Sequence, residues 1–243
     1  MVVLKKFITV ILTICLVLIP TKVDAMSVIV IIDSGMCGQN VKYVCYYNTL
    51  TGITYLDIEA LPTSGDCCIY SYKSKDAPPW VSYRSSVNVL TVRGVVEFGS
   101  YCFYGFSGCY SFNFDDSVLV MGNYCLANCD RLGYLDMPEQ VVYVGKSAFM
   151  GDSSLVQIDF SPALTSIGNY AFAKCNLQSV KLPNKLRSVG KYAFAYNRGL
   201  QYLQFGKSDL KLGAYAFSGC TSLGEVKPPK WVKYKNTTFR GCK

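Results

Sequence analysis

The stretch Ser-Ile-Gly-Asn-Tyr-Ala-Phe-Ala-Lys-Cys at 166–175 returns as Ser-Val-Gly-Lys-Tyr-Ala-Phe-Ala-Tyr-Asn at 188–197. Repetition of a short pattern along the chain is typical of a solenoid, in which each repeat is one turn of the chain and buries its apolar side against its neighbours. The sequence therefore predicts a stack of coils with an extended surface, which favours a binding function. The glycine of this stretch recurs in steps of 23, 23, 23, 22 and 23 residues, at Gly99, Gly122, Gly145, Gly168, Gly190 and Gly213.

Residues 177–199 contain the pattern of one whole repeat. The order Leu177-x-x-Val180-x-Leu182 predicts a short strand with one buried face. Six such strands would form a parallel sheet, with coils about 5 Å apart. The pair Ala193-Phe194 would then send a small and a large side chain inward. The strand pattern recurs as Leu132/Leu135/Met137, Leu155/Ile158/Phe160, Leu200/Leu203/Phe205 and, more weakly, Leu223/Val226/Pro228.

The repeat glycine has two interpretations. It supplies a left-handed or tightly turning backbone position, which we take as the first expectation because glycine adopts positive φ without a steric penalty. Alternatively, it is an unstrained residue that is required only for close packing between coils.

The pattern Leu-x-x-Val-x-Leu-Pro-x-x-Leu-x-x-Val-Gly-x-x-Ala-Phe resembles the BspA-like leucine-rich repeat of bacterial and protist surface antigens, of the treponemal type with about 23 residues per unit. The resemblance covers roughly residues 95–243. It implies a right-handed, β-rich leucine-rich-repeat solenoid with parallel short strands and little helix. Upstream segments such as Pro79-Trp80 and Tyr83-Arg84-Ser85-Ser86 resemble the small β module that precedes these repeats in many family members.

Three segments follow from these patterns. Residues 1–25 have the features of a signal peptide: Lys5-Lys6, a 13-residue apolar run to Ile19 and a small-residue cleavage site ending at Ala25. The run is shorter than the ~20 residues that span a bilayer, and no second hydrophobic segment follows, so no transmembrane anchor is predicted in the mature chain. Residues 26–93 are predicted to form the capping module, and 94–243 the solenoid, with about six units and an end midway through a repeat.

Removal of the signal peptide leaves eleven of the twelve cysteines, so at least one is unpaired. In an exported module, disulfides are expected among Cys37, Cys45, Cys67 and Cys68. Cys102 and Cys125 occupy equivalent positions in adjacent coils and are expected to be free thiols. Four more cysteines lie three residues after the inward-facing Phe of their repeat, a position that is Leu126 in one repeat. They are interpreted as small buried side chains and are Cys129, Cys175, Cys220 and Cys242.

The absence of histidine excludes Ser-His-Asp, Cys-His and His-metal mechanisms. Asp115 and Asp116 are adjacent in a predicted turn, where Asp commonly binds the local backbone, and adjacent carboxylates need not converge on a substrate. No phosphate-binding loop and no metal-ligand spacing is present. The sequence thus predicts no enzymatic activity, no metal and no cofactor.

Charge is unevenly distributed along the chain. Residues 26–173 carry 7 basic and 13 acidic side chains, whereas 174–243 carry 14 basic and 2 acidic ones. A basic segment attracts polyanions over long range, and for an exported protein these are anionic glycans and acidic surface proteins. Nucleic acid would suit the positive charge equally well, but the extracellular setting of an exported protein argues against it as a partner.

Two sets of side chains are the candidate ligand-binding residues; for both, the alternative is a merely solvated surface. The outward strand positions form a polar and aromatic face suited to protein recognition. The basic residues after each strand would line a neighbouring face. Asn236 begins the one N-glycosylation sequon. The first set is Tyr134, Asp136, Gln157, Asp159, Lys181, Tyr202, Gln204 and Lys227, and the second is Lys185, Arg187, Lys207, Lys211, Lys230 and Lys233.

The resulting hypothesis is a secreted or surface-associated adhesin that binds extracellular or cell-surface proteins, with anionic glycans as a second class of partner. The resemblance implies matrix and cell-surface partners, although a solenoid scaffold transfers between proteins better than its ligand does. The alternative is a structural surface-coat protein that self-associates through its open carboxyl-terminal end and an unpaired cysteine.

Overall fold

The computed structural model describes residues 28–62 and 67–243. Its first feature is a ladder of short parallel strands, one from each coil, which we call the short-strand column. Each repeat glycine directly follows one of these strands. The column contains β4 (Cys68–Ile69), β6 (Glu97–Phe98), β8 (Val120–Met121), β10 (Tyr143–Val144), β12 (Ser166–Ile167), β14 (Ser188–Val189), β16 (Leu210–Leu212) and β17 (Val232–Lys233).

A second series of parallel strands, the long-strand column, carries the Leu-x-x-Val-x-Leu pattern. Its pairing breaks twice, between β7 (Ser111–Phe114) and β9 (Tyr134–Asp136) and between β11 (Gln157–Asp159) and β13 (Ser179–Lys181). The second break coincides with the one 22-residue step, which removes a residue between those strands. The members are β3 (Ile53–Ala60), β5 (Val89–Arg93), β7 (Ser111–Phe114), β9 (Tyr134–Asp136), β11 (Gln157–Asp159), β13 (Ser179–Lys181) and β15 (Tyr202–Gln204).

The expectation of one continuous sheet from these strands is therefore wrong. The weak unit Leu223/Val226/Pro228 forms no strand. Pro228 and Pro229 have no N–H to donate to a ladder, which explains why pairing ends at β15. The prediction of little helix is confirmed, because a 3-10 turn at Val81–Tyr83 is the one helical element within the described ranges.

An antiparallel meander joins the two columns at the amino-terminal end. β1 (Ile29–Gln39) and β2 (Val41–Asn48) pair antiparallel, as do β2 and β3. β1 also pairs with β4, and β3 pairs in parallel with β5, so the sheet passes from one column to the other through β1, β2 and β3. Trp80 covers the interior of the stack at this end. It is fully buried, its ring centroid lies 5.6 Å from that of the stacked Phe103, and its indole N–H donates to the carbonyl of Cys102.

The interior of the stack is built from the inward-facing Ala-Phe pairs, which confirms the prediction made for them. Consecutive rings lie parallel, with centroids 5.0 to 5.5 Å apart. Because the inner rings are covered by those of the coils above and below, a coil buries its largest side chain only within the stack. The stacked rings are Phe149, Phe172, Phe194, Phe217 and Phe239.

The repeat glycines are required by contact between coils. A Cβ placed on Gly168 would lie 2.6 Å from a backbone atom of the preceding coil, and on Gly190 or Gly213 only 2.5 Å. None of the three has a positive φ. The expectation of a left-handed glycine is therefore wrong, and the alternative of close packing is confirmed.

The left-handed backbone position lies two residues later and is usually a tyrosine, with φ between 53° and 62°. At Tyr170 the backbone N–H donates to the carbonyl of Lys191 in the next coil. The ring stacks on Tyr192, which in turn stacks on Tyr215. These inter-coil contacts offset the cost of the left-handed conformation in a residue that has a Cβ. The residues are Tyr101, Tyr124, Ser147, Tyr170, Tyr192 and Tyr215.

Cys37 and Cys45 are buried thiols, so the expected disulfides do not include them. Asp33 is the residue of β1 that faces Cys45, which places Cys37 four residues, or about 13 Å, further along the strand. A disulfide requires much closer Cα atoms. Cys102 and Cys125 are free, as predicted, and burial raises the pKa of both thiols.

The repeat cysteines have a specific partner. Each donates its thiol hydrogen to the carbonyl of the inward-facing Phe one coil earlier, at 3.1 to 3.4 Å. The interpretation as buried small side chains is thus confirmed for Cys129, Cys175 and Cys220, whereas Cys242 is half-buried.

Candidate functional site

The long-strand column presents an outer face, which we call the strand face. In β9 and β11 the central residue, Leu135 or Ile158, is buried and both flanking residues are exposed. This is the alternation that a strand with one buried side must show. The structure therefore exposes the residues that sequence reasoning placed there: Tyr134, Asp136, Gln157, Asp159, Lys181, Tyr202 and Gln204.

Hydrogen bonds organise the acidic part of the strand face. Tyr134 Oη donates to Asp159 Oδ2 at 2.9 Å, and Gln157 Nε2 donates to the same oxygen at 3.5 Å. Asp136 and Asp159 face each other across neighbouring strands. The hydrogen bond to Asp159 raises the pKa of Tyr134. The two carboxylates thus form an anionic end of the face, and Lys181 lies further along the stack.

The strand face ends at an open groove of about 410 Å³ between β15 and the segment 223–229. Tyr202 and Gln204 line one side, and Glu225 and Lys227 line the other. Lys227 Nζ lies 3.3 Å from Glu225 Oε2. Sequence reasoning placed Lys227 on a further strand of the face. The structure corrects this, since the residue is exposed but stands outside any strand.

The candidate basic residues separate into two groups, although all are exposed. Lys185, Lys207 and Lys230 lie in the connections between strands. Lys211 and Lys233 belong to the short-strand column and are register partners in neighbouring coils. Arg187 directly precedes β14 of that column. The structure therefore does not bring the six together on one face.

Sequence reasoning missed a trough along the repeat glycines, with a volume of about 450 Å³. Gly168, Gly190 and Gly213 line it, together with Lys146, Lys191 and the predicted Lys211. Lys146 and Lys191 directly follow glycines, at a position that varies between repeats, so the strand pattern did not single them out. The signal was the glycine column itself, because a line of residues without side chains leaves space.

The paired carboxylates of the turn bind backbone amides. Asp115 Oδ2 accepts the N–H of Gly94 at 2.7 Å, and Asp116 Oδ1 accepts that of Glu139 at 2.9 Å. Each carboxylate thus ties its turn to an adjoining coil, which is the structural role expected of Asp in turns. Within residues 28–62 and 67–243, no group of three or more Cys, Asp or Glu side chains is placed to hold a metal ion.

One buried carboxyl group lies in the interior column that carries the repeat cysteines. Asp152 is fully buried; its Oδ1 accepts the N–H of Cys129 at 2.8 Å, and its Oδ2 has no hydrogen-bond partner in the described part of the chain. Burial raises the pKa of the Asp152 carboxyl well above its usual range. Its inaccessibility excludes it from direct contact with a ligand.

Asn236 is exposed near the carboxyl-terminal end, while Thr238 of the same sequon is buried and its hydroxyl donates to the carbonyl of Gly213. Glycosylation at Asn236 stays a prediction. The predicted signal peptide, 1–25, lies outside the described residues. No helix among the described residues is long and apolar enough to cross a membrane.

A family model described as the BspA type leucine rich repeat region matches residues 83–201 and 151–243, in six copies. No curated protein matches the chain.

Several solved structures resemble the fold. The Treponema pallidum leucine-rich-repeat protein is 21% identical, with 70% of this chain and 84% of that one covered at a TM-score of 0.48. A leucine-rich cell surface protein from Faecalibacterium prausnitzii is 13% identical, with 90% and 87% covered at 0.44. The pneumococcal vaccine antigen PcpA is 17% identical, with 86% and 72% covered at 0.39.

Proposed function

Because the chain belongs to the BspA-type leucine-rich-repeat family, we propose that it is an exported, non-enzymatic protein, secreted or held at the cell surface, that binds extracellular or cell-surface proteins through its strand face. Export is supported by the basic and apolar character of residues 1–25. The lack of histidine and the structural roles of Asp115 and Asp116 support the absence of catalysis.

The observation that carries this proposal is the composition of the strand face. Tyr134 and Tyr202 are each 51% exposed on the strands β9 and β15. Tyrosine contributes a large contact area at low entropic cost, and neighbouring carboxylate and amide groups provide adjustable hydrogen bonds. The face is an open surface, which suits a protein partner better than a small molecule that must be enclosed.

We expect the double variant Tyr134→Ala/Tyr202→Ala to lose the proteins that the parent captures from a cell-surface extract. Interface tyrosines commonly contribute a kcal/mol or more each, so retention should fall about tenfold or further. The measurement is quantitative mass spectrometry of proteins bound to immobilised parent and variant.

The matched control is Tyr70→Ala/Tyr234→Ala, because those side chains are 56% and 52% exposed and lie outside the strand face. The control should capture the same proteins as the parent. If the strand-face variant also captures them in unchanged amounts, the strand face is not the binding surface.

Self-association is a second candidate function, and one observation favours it. Val28 to Ile32 are all apolar and 40–55% exposed, and within the described residues β1 pairs along its other edge only at Gly38 and Gln39. An exposed apolar edge of this kind can recruit a further strand. The amino-terminal end, rather than the mostly buried cysteines, is therefore the candidate contact.

If a coat forms in this way, size-exclusion chromatography should show concentration-dependent oligomers that persist in reductant. Val30→Lys should shift them to the monomer, because a charge on an edge strand blocks pairing. Thr51→Lys adds the same charge at an exposed position outside the strands and serves as control. A monomeric parent at all concentrations would eliminate this candidate.

A further inference from the structure

The trough along the repeat glycines exists because the coils stack closely. Each glycine lies so near the backbone of the preceding coil that no Cβ fits, so successive coils leave a strip without side chains. Side chains on either side then stand above this strip as two rims. The fold therefore produces a linear groove that follows the long axis of the stack across several coils.

The first rim alternates asparagine and lysine. Asn123 Oδ1 accepts the backbone N–H of Lys146 at 2.8 Å, and Asn169 Oδ1 accepts that of Lys191 at 2.7 Å. The amines lie over tyrosine rings, 5.8 Å from the Tyr124 centroid for Lys146 and 5.2 Å from that of Tyr192 for Lys191. The two lysines are two coils apart, or about 10 Å at the spacing of neighbouring strands.

The second rim consists of outward side chains of the short-strand column. Ser166 and Ser188 hydroxyls lie 2.8 Å apart and are followed in register by Lys211 and then Lys233. Like charges directly opposite each other on adjacent strands repel. Neither lysine belongs to any of the ion pairs found among the described residues, so none of those pairs relieves the repulsion.

The sign of the trough is unambiguous. Three of its twelve lining residues are lysines and none is acidic. The remaining polar side chains, Tyr143, Ser166, Asn169 and Ser188, are neutral hydrogen-bonding groups. A ligand that neutralises these lysines along the groove must be anionic, and its length must extend over several coils.

We propose that this trough binds a linear sulfated polysaccharide, with sulfate groups against Lys146, Lys191 and Lys211 and sugar hydroxyls against the serine and asparagine side chains. The proposal does not depend on protein recognition at the strand face, because the trough lies along the other strand column. Single-stranded nucleic acid is disfavoured because base stacking needs several aromatic platforms, and Tyr143 is the one aromatic side chain that lines the trough.

The test measures binding of purified protein to heparin as the sulfated probe, by calorimetry and by retention on a heparin column. Lys146→Ala/Lys191→Ala/Lys211→Ala should weaken binding about tenfold or more, and parent binding should fall steeply as salt rises. The matched control, Lys185→Ala/Lys207→Ala/Lys230→Ala, removes the same charge from exposed positions outside the trough and should weaken binding no more than about threefold.

A second variant blocks the trough without changing its charge. Ser166→Tyr/Ser188→Tyr fills it with the side chain that Tyr143 already places in register on the same column, so the fold should tolerate it. Heparin affinity should fall about tenfold, whereas the exposed-site control Ser153→Tyr/Ser222→Tyr should bind like the parent. Circular dichroism of each variant monitors the fold.

Three results would overturn the proposal. If the trough variants bind heparin like the parent, the trough is not the site. If the control lysine triple loses as much as the trough triple, the attraction comes from overall charge. If poly(dT) or polyglutamate binds as tightly as heparin and with the same dependence on the trough, a sulfated glycan is not the selected ligand.

Discussion

Replacing Gly190 with alanine should destabilise the stack by about 3 kcal/mol or more. The new Cβ would lie 2.5 Å from backbone atoms of Gly168 and Asn169, and backbone cannot move aside without separating the coils. Separation would also loosen the hydrogen bond from the N–H of Gly190 to the carbonyl of Ile167 and the stacking of Phe172 on Phe194. The free energy of unfolding is measured by urea denaturation followed by far-ultraviolet circular dichroism.

Gly224→Ala is the matched control for this substitution. No heavy atom lies within 4 Å of a Cβ at Gly224 and its φ is not positive, so the free energy of unfolding should change by no more than about 1 kcal/mol. Equal stability of the Gly190 variant and the parent would show that the coils separate easily, and the explanation of the repeat glycines by close packing would then fail.

Two substitutions in the interior column, Asn197→Asp and Asp152→Asn, should change the free energy of unfolding in opposite directions. Asn197 Nδ2 donates to the carbonyls of Phe172 and Phe194 at 2.8 Å each, and the repeat cysteines likewise donate to carbonyls. An ionised carboxylate cannot donate, so Asn197→Asp should destabilise by about 3 kcal/mol at neutral pH. Asp152→Asn supplies a donor where Oδ2 is unpartnered and should stabilise by about 1–3 kcal/mol.

The pH dependence of Asp152→Asn follows from the raised pKa of the Asp152 carboxyl. Below about pH 3.9, the ordinary pKa of aspartate in an unfolded chain, the group is neutral in both states. As pH rises above that value, the unfolded chain releases its proton and the folded chain does not, so the parent loses stability until the pH reaches the folded pKa.

The measurement is denaturant unfolding of parent and Asp152→Asn between about pH 3 and pH 8. The stability difference between them should be smallest at the acid end and grow with pH, and Asn197→Asp should lose stability over the same range. A difference that is constant with pH would mean that the Asp152 carboxyl titrates normally in the folded protein.

The candidate surfaces were only partly accessible to sequence reasoning. Exposure of Tyr134, Asp159 and Tyr202 was predictable, because a strand with one buried side must expose its alternate residues. The hydrogen bond between Tyr134 and Asp159 was not, because it joins side chains 25 residues apart on neighbouring strands. The trough was missed because Lys146 and Lys191 meet Lys211 only through the registration of separate coils.

The sequence by itself determined the stacked solenoid, its repeat length, its short strands and the inward Ala-Phe pairs, because these follow from hydrophobic periodicity within single repeats. Only the tertiary structure decided the role of each column. Gly190 is required by the backbone of another coil, Tyr192 is held left-handed by the coils on either side, and Asp152 is buried without a donor. Each of these depends on distances between residues about 23 positions apart, and those distances are set by stacking, which no single repeat contains.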